Sequence, residues 1–387
     1  MHSQPPRLII LTTVRVTLLT FFRAQIRFLR SAGFEVYTIS SPPSAETGGD
    51  TDLPTFPVAM HRKISPFSDV LALFKLWGVL RRVRPHLIHT HTPKAGLLGM
   101  LASRLSGVPV RIYTINGLVW ITSAGFQRRL LIAMERLACA LATNVLAVSS
   151  SIQQITVNSR ICPSWKIRVL GSGGSHGVDL ERFDPVSCAP EREALRSGLR
   201  LNPNSILLIF VGRLVRQKGV EDLAVAWRGI RDEYPEAHLL LCGAFEERDS
   251  VSPEVVEDLR KCARVHFVSG SPDEMPGFYA ASDICVLPTW REGLPNVALE
   301  AAAMQIPIVA TNAPGCVDAI EDGVTGILVG VQNSESLKAG LRRLMDDAAL
   351  RRQMGQNGRR FVAERFSENR VSQLLSEEYK RLLAGFL

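Results

Sequence analysis

The 387-residue sequence has no uninterrupted apolar run of membrane-spanning length, no internal repeat and no low-complexity stretch. A spanning helix needs about 20 apolar residues, so an integral membrane protein is excluded as an expectation. Its seven cysteines (139, 162, 188, 242, 262, 285 and 316) are odd in number and lack CxxC spacing. That pattern argues for a reduced, cytoplasmic protein and against a disulfide scaffold or a zinc site. Nucleotide-binding fingerprints are missing too. GxxxxGK[ST] is absent, and the glycines of GSGGSHG (171–177) are neither spaced as GxGxxG nor followed by a helix pattern. Only seven apolar or hydroxyl residues separate Arg7 from Arg15, too few for a signal-peptide core, so this segment is expected to be a first strand.

What is present is a globular composition, 46% hydrophobic and 21% charged, in a chain long enough for two domains. The net charge of +8 is unevenly spread. Residues 1–184 carry 21 Lys+Arg against 9 Asp+Glu, a net of +12, whereas the remainder has 24 against 28, a net of −4. A basic half suggests an anionic partner. No nucleic-acid-binding motif accompanies the charge, so nucleic acid is not expected. An anionic membrane surface or a lipid diphosphate fits, and a generically basic surface remains open.

Along the chain, strand-like apolar runs alternate with helical patterns. RLIILTT, FEVYTIS, HLIHTH, RIYTIN and NVLAVS are the strands of a first domain; ILLIFVG, AHLLLCG, RVHFVSG, DICVLP and IPIVAT are those of a second. The alternation implies two doubly wound α/β domains. Expected bounds are 1–184, 185–365, and a last helix at 366–387. Arg23, Arg27 and Arg30 fall on one side of the first helix. SPPSAETGGDTDLPTFP is expected to be an exposed loop, so its Asp50-Thr51-Asp52 is a poor candidate for a metal-binding DxD. Ser65-Pro66 opens a helix. His89 and His91 share one strand face, but no third ligand with matching spacing follows, so no metal is expected. Lys94 lies where a strand end gives way to a helix and suits a phosphate or substrate oxygen. Trp120 and Phe126 either pack the core or stack on a sugar.

The most informative stretch is Pro288 to Val329. DICVLP, the loop TWREGLPN and the helix VALEAAAM place helical amides at the end of a buried strand, an anion site. Gly293 permits close backbone approach and Asn296 is the expected N-cap. Glu292 and Glu300 frame the turn. A carboxylate can accept hydrogen bonds from two vicinal hydroxyls, as a sugar edge requires, although helix starts also attract solvated glutamates. Upstream, GRLVRQKG sets Arg213 and Lys218 beside a glycine turn, a charge arrangement suited to a diphosphate.

The E-x7-E from Glu292 to Glu300 within REGLPNVALEAAAMQIPIVAT, followed by GCVDAIEDGVTG, resembles the donor-site signature of glycosyltransferase family 4. That resemblance implies the GT-B fold, with a cleft between two Rossmann-like domains and a C-terminal helix returning to the first. It also implies a retaining, metal-independent transfer from a nucleoside-diphosphate sugar, without a cofactor. Arg213 and Lys218 match the residues that neutralise the donor diphosphate. Glu300 matches the ribose ligand, Glu292 the donor-sugar ligand, and the amides near Gly293 and Leu294 a phosphate contact. Ser271 resembles the position where the backbone meets the nucleobase, and GSGGSHGVDLERFDP the inter-domain loop.

MHRKISPFSDVLAL and THTPKAGLLGMLASRLSGVPVRIYT are similar to the subgroup acting in bacterial capsule, O-antigen and exopolysaccharide synthesis. This implies a polyprenyl-diphosphate-linked glycan acceptor, Lys94 and His91 on the acceptor side, and a peripheral location at the inner membrane face. One position departs from the family. Where many members have a histidine facing the donor sugar, this chain has Asn116, which can hydrogen-bond but cannot carry a proton. Two alternatives stand: a nucleotide-sugar epimerase on the same architecture, for which Asn116 supplies no acid or base, and a binding subunit without activity, which the missing histidine motivates and the intact glutamate pair with Arg213 and Lys218 argues against.

Overall fold

The computed structural model describes residues 5–43, 53–61, 65–247 and 249–386. The chain divides into two compact units, residues 1–177 with 368–387, and 178–367. These boundaries replace those expected at 184 and 365. The segment after Gly177 is built into the second unit, where Val178 bridges Ser367 and packs with Phe183 in its core.

In the first unit, strands β1 (Arg7–Leu11), β2 (Glu35–Ser40), β3 (Thr55–Pro57), β4 (Leu87–His91), β5 (Val110–Ile115), β6 (Asn144–Ala147) and β7 (Ile167–Arg168) form a sheet. Its order is β3-β2-β1-β4-β5-β6-β7 and every pairing is parallel. The order reverses between β1 and β4, which opens a crevice at the carboxyl ends of those two strands. Two local expectations need correction. Thr55–Pro57 is a strand, not loop, tolerated with its proline because it lies at the sheet edge. The first helix is not continuous, since a π turn over Leu18–Phe22 precedes the helix Arg23–Ser31. Asp50 and Asp52 lie outside the described residues.

The second unit contains β8 (Ile206–Val211), β9 (Ala237–Cys242), β10 (Val265–Val268), β11 (Ile284–Leu287), β12 (Ile308–Thr311) and β13 (Gly326–Val329). These are ordered β10-β9-β8-β11-β12-β13, again all parallel, with the reversal between β8 and β11. Both faces are covered, which is why the strands are continuous apolar runs. Leu207 and Ile209 of β8 join one core cluster, while Leu208 and Phe210 join the other.

The last helix, Glu368–Leu383, completes the core of the first unit through Leu375, Tyr379 and Leu383. Tyr379 is fully buried, and its hydroxyl hydrogen-bonds Nδ1 of His89 while Nε2 of His89 meets Thr114 Oγ1 at 2.6 Å. His91 packs at a tilt against His89, with ring centroids 4.1 Å apart, and against Phe22 at 4.4 Å. His176 packs on Phe21. Burial drives all three imidazoles toward the neutral form: His89 down to about 3, His176 to about 4, and His91 well below the usual value.

Unfolding would let these histidines take up protons below about pH 6.5, so the stability they contribute is lost as pH falls through that value. Burial raises Glu135 to about 7 and also raises Glu300, and both oppose the trend. The histidines outnumber them. The melting temperature is expected to fall as the pH drops from 6.5 to 5, as the unfolded histidines take up protons that the buried ones refuse. A melting profile that is flat or rises toward acid would contradict this.

Candidate active site

In the second unit the loops leaving β8 and β11 meet at the point where strand order reverses. The β8 loop makes a single 3-10 turn, Arg216–Lys218, and then starts the helix Val220–Glu233 at Gly219. Gly219 has φ +75°, and a Cβ there would lie 1.9 Å from the Pro288 carbonyl oxygen, so the two loops can approach this closely only at a glycine. Side chains then lock them. The carbonyl of Gln217 accepts from the Trp290 amide at 3.0 Å, and its side-chain Oε1 accepts from Arg291 Nη2 at 2.8 Å. The Trp290 indole donates to Asp222 at 2.9 Å, and Asp249 holds the Gln217 amide at 2.8 Å.

This framework brings Lys218 to Glu292, and the ammonium donates to Oε1 of the carboxylate. Both side chains are largely shielded from water, 21% and 15% exposed. Behind them the Glu292 amide donates to the Pro314 carbonyl at 3.0 Å. Gly315, at φ +82°, abuts the backbone of Glu292 and Gly293 so closely that a Cβ would lie 2.4 Å from the Gly293 oxygen. The glycine of GCVDAIEDG thus fixes the carboxylate-bearing loop from the β12 side. Arg213 pairs with Glu246 at 3.0 Å in a half-exposed contact. Such a pair is worth little, so the guanidinium is easily redirected to an anion. Arg291, which sequence reasoning passed over, adds a third cation. Burial lowers its pKa, Glu292 opposes that and Arg213 adds to it.

Glu300 sits one turn into the helix Asn296–Ala303, where its Oε2 accepts from the hydroxyl of buried Tyr279 at 2.9 Å. Burial raises its pKa, against the Tyr279 hydrogen bond and the charge of Arg182. Tyr279 comes from the neighbouring helix Met275–Ala281, and no motif singled it out. The expected N-cap is corrected. Pro295, extended and lacking an N–H, is the N-cap, and its carbonyl accepts from the Ala298 amide at 3.0 Å, which leaves Asn296 as the first helical residue. Gly293 is buried and Leu294 partly exposed just before it. Ser271 caps a short turn, closing a capping box with Glu274 at 3.0 Å (amide) and 2.8 Å (hydroxyl).

In the first unit the predicted residues gather at the carboxyl ends of β1, β4 and β5. Thr92 adopts φ +72° at the β4-to-helix turn and shares a 2.6 Å hydrogen bond with Thr13 from the end of β1. Lys94, in the first turn of the helix Pro93–Leu105, forms a 2.7 Å ion pair with Asp69 and is only 10% exposed. It is therefore engaged within the fold rather than extended into solvent. His91 is buried, and among the described residues neither ring nitrogen has a hydrogen-bond partner. The same holds for Oδ1 of Asn116, at the end of β5. Trp120 is buried, whereas Phe126 is 80% exposed, so the two part company. Among the described residues no group of three or more His, Cys, Asp or Glu side chains is placed to hold a metal ion.

Two parallel-sheet units with paired carboxylates and cations at a strand-order reversal define a GT-B glycosyltransferase. The family comparisons agree. A model described as "Glycosyl transferases group 1" matches residues 191–361, and one described as "Glycosyl transferase 4-like domain" matches residues 18–173. The capsular polysaccharide biosynthesis glycosyltransferase CapM of Staphylococcus aureus is 32% identical over 94% of this chain and 93% of its own length. The UDP-Gal:alpha-D-GlcNAc-diphosphoundecaprenol alpha-1,3-galactosyltransferase of Escherichia coli is 26% identical over 84% of each chain. Among solved structures, sucrose-phosphate synthase from Thermosynechococcus elongatus superposes with a TM-score of 0.81 at 22% identity, covering 98% of this chain and 100% of that one. The chain belongs to the group 1, family 4-like glycosyltransferases.

Proposed function

We propose that the protein transfers a hexose or N-acetylhexosamine from a nucleoside-diphosphate sugar, a UDP-sugar, to a polyprenyl-diphosphate-linked glycan in bacterial surface-polysaccharide synthesis. The observation that carries this reading is the near-full-length similarity to CapM, with the Lys218–Glu292 pair and Glu300 in place at the β8/β11 reversal. The similar Escherichia coli enzyme, named for UDP-Gal and a diphosphoundecaprenol acceptor, supports both halves of the substrate assignment.

On this reading Glu300 accepts hydrogen bonds from the ribose hydroxyls and Glu292 from the donor sugar. Arg213 and Lys218, with the amides around Gly293 and Leu294 at the helix start, stabilise charge on the departing diphosphate. The acceptor hydroxyl oxygen bonds to the anomeric carbon as the bond from that carbon to the diphosphate breaks on the same face. The leaving phosphate oxygen takes the acceptor proton, so configuration is retained and no carboxylate nucleophile is needed. The cations supply the electrostatic role that a metal ion fills in other transferases. Ser271 stands for the nucleobase contact, Asn116 for the donor side, and His91 with Lys94 for the acceptor side, where Lys94 positions its helix through Asp69. The protein would act at the inner face of the membrane.

The test is transfer itself. Purified protein, a panel of UDP- and GDP-sugars and a bacterial lipid-linked-oligosaccharide extract should yield an acceptor heavier by one sugar. The linkage should keep the donor's anomeric configuration by NMR, turnover should survive EDTA, and Glu300→Ala should abolish the product. An epimerised donor without an acceptor requirement would replace this reading, as would nucleotide binding without turnover on any acceptor.

A further inference from the structure

The helix Pro66–Val83 presents two faces of unlike character. Ala72, Leu76 and Leu80 are buried against the rest of the first unit, as an amphipathic helix requires. Its opposite side is not polar. Phe67 is 80% exposed and Phe74 64%, with Val70 and Leu71 about half exposed between them. The spacing i, i+3, i+4, i+7 makes these four one continuous stripe, about 10 Å long. Beyond the stripe on the exposed side come Lys75, Arg81 and Arg82, then Arg84 just past the helix end. The one acid of the helix, Asp69, is turned away to Lys94 and to the Ser65 amide.

We infer that this face docks the protein on an anionic lipid bilayer, with Phe67, Val70, Leu71 and Phe74 in the interfacial layer and the basic residues against headgroups. Charge selects this occupant. The first unit as the structure bounds it holds 23 Lys+Arg against 9 Asp+Glu, a net of +14, and among the described residues of the helix no carboxylate interrupts the exposed face. A second copy docking through the same stripe would offer Lys75, Arg81 and Arg82 no opposite charge, because the helix face that carries them holds no exposed acid. An anionic sheet of lipid satisfies the apolar stripe and the cations together. Among the described residues no helix is long and apolar enough to cross a membrane, so contact through this face would be interfacial.

The position of the stripe gives the docking a purpose, which rests on the lipid-linked-acceptor reading. The helix is the crossover from β3 to β4 in a parallel sheet, so its N-terminal half lies at the carboxyl ends of the strands. Thr92, Lys94 and Asn116 are at that same end. The 2.7 Å Lys94–Asp69 pair links the stripe-bearing turn directly to the helix that follows β4. A polyprenyl diphosphate held in the bilayer would then present its headgroup beside these residues without leaving the membrane.

Flotation of the full chain with vesicles tests this without any substrate. Wild type should float with phosphatidylglycerol-containing vesicles far better than with phosphatidylcholine alone. The exposed double substitution Phe67→Ser/Phe74→Ser should weaken that association at least about tenfold, as should Arg81→Glu/Arg82→Glu at low salt. Turnover of a short-chain soluble acceptor should be unchanged in Phe67→Ser/Phe74→Ser, while turnover of the vesicle-embedded acceptor falls in parallel with flotation. Equal flotation of variant and wild type would overturn the inference. So would a wild-type dimer that Phe67→Ser/Phe74→Ser dissociates in place of any vesicle binding. A protein that floats as expected but transfers no sugar would keep the docking face and overturn the transferase reading alone.

Discussion

Replacing Lys218 by Met is expected to lower kcat by about 10²–10³, the range seen when one preorganised charge-stabilising group is removed from a transition state. Lys218 is held by Glu292 and largely shielded from water, so its charge acts in a medium that screens poorly. Arg213 is half exposed and paired with Glu246, and Arg213→Met should cost less. The diagnostic is the split between kinetic constants. If Lys218 acts on the leaving diphosphate, kcat falls while the acceptor KM stays near its wild-type value. Were Lys218 only a structural partner that holds Glu292 in place, Lys218→Met would raise the donor KM and leave kcat at saturating donor near its wild-type value, and an outcome of that kind would sink the proposed role.

Gly219→Ala should be among the most damaging single-methyl changes in the second unit. Its φ of +75° already disfavours a side chain, and the new Cβ would stand 1.9 Å from a backbone oxygen that has no rotamer to escape into. Strain and overpacking together suggest a loss of about 2–5 kcal/mol. The effect should not stay local. Pushing Pro288 away would part the Trp290 amide from the Gln217 carbonyl and separate Lys218 from Glu292. The expected observation is a lower urea midpoint for the second unit, together with weaker nucleotide binding measured by calorimetry. A variant with an unchanged midpoint would mean that the loops can slide apart without cost.

Periodicity carried most of the fold. Apolar runs bounded by glycine and proline located every long strand, because each strand of a doubly wound sheet is buried on both faces and is therefore predominantly apolar. The edge strands Thr55–Pro57, Ile167–Arg168 and Gly326–Val329 escaped, since such short segments have neither run length nor alternation to betray them. Glu292, Glu300, Arg213 and Lys218 were legible because each sits at a fixed distance from a strand end within one short motif. Their partners were not. Tyr279 reaches Glu300 from 21 residues away and Asp69 reaches Lys94 from 25. Nor does any local pattern announce that Trp290 will find Asp222, 68 residues distant. Asn296 shows the limit from the other direction. By residue type it is the better cap, yet the adjacent proline took the position because its ring already fixes the extended entry to the helix.

The path of the chain sets an order of assembly. Residues 178–367 are contiguous, so the second unit has all of its strands once they have emerged from the ribosome. The first unit, although it begins the chain, lacks Leu375, Tyr379 and Leu383 until the segment 368–387 follows. Until then His89 has no phenol to bind and one side of the first core stands open to water. The half that is made first is therefore the half that finishes last, and a ribosome stalled anywhere in the second unit would leave a hydrophobic face exposed at the amino-terminal end of the nascent chain.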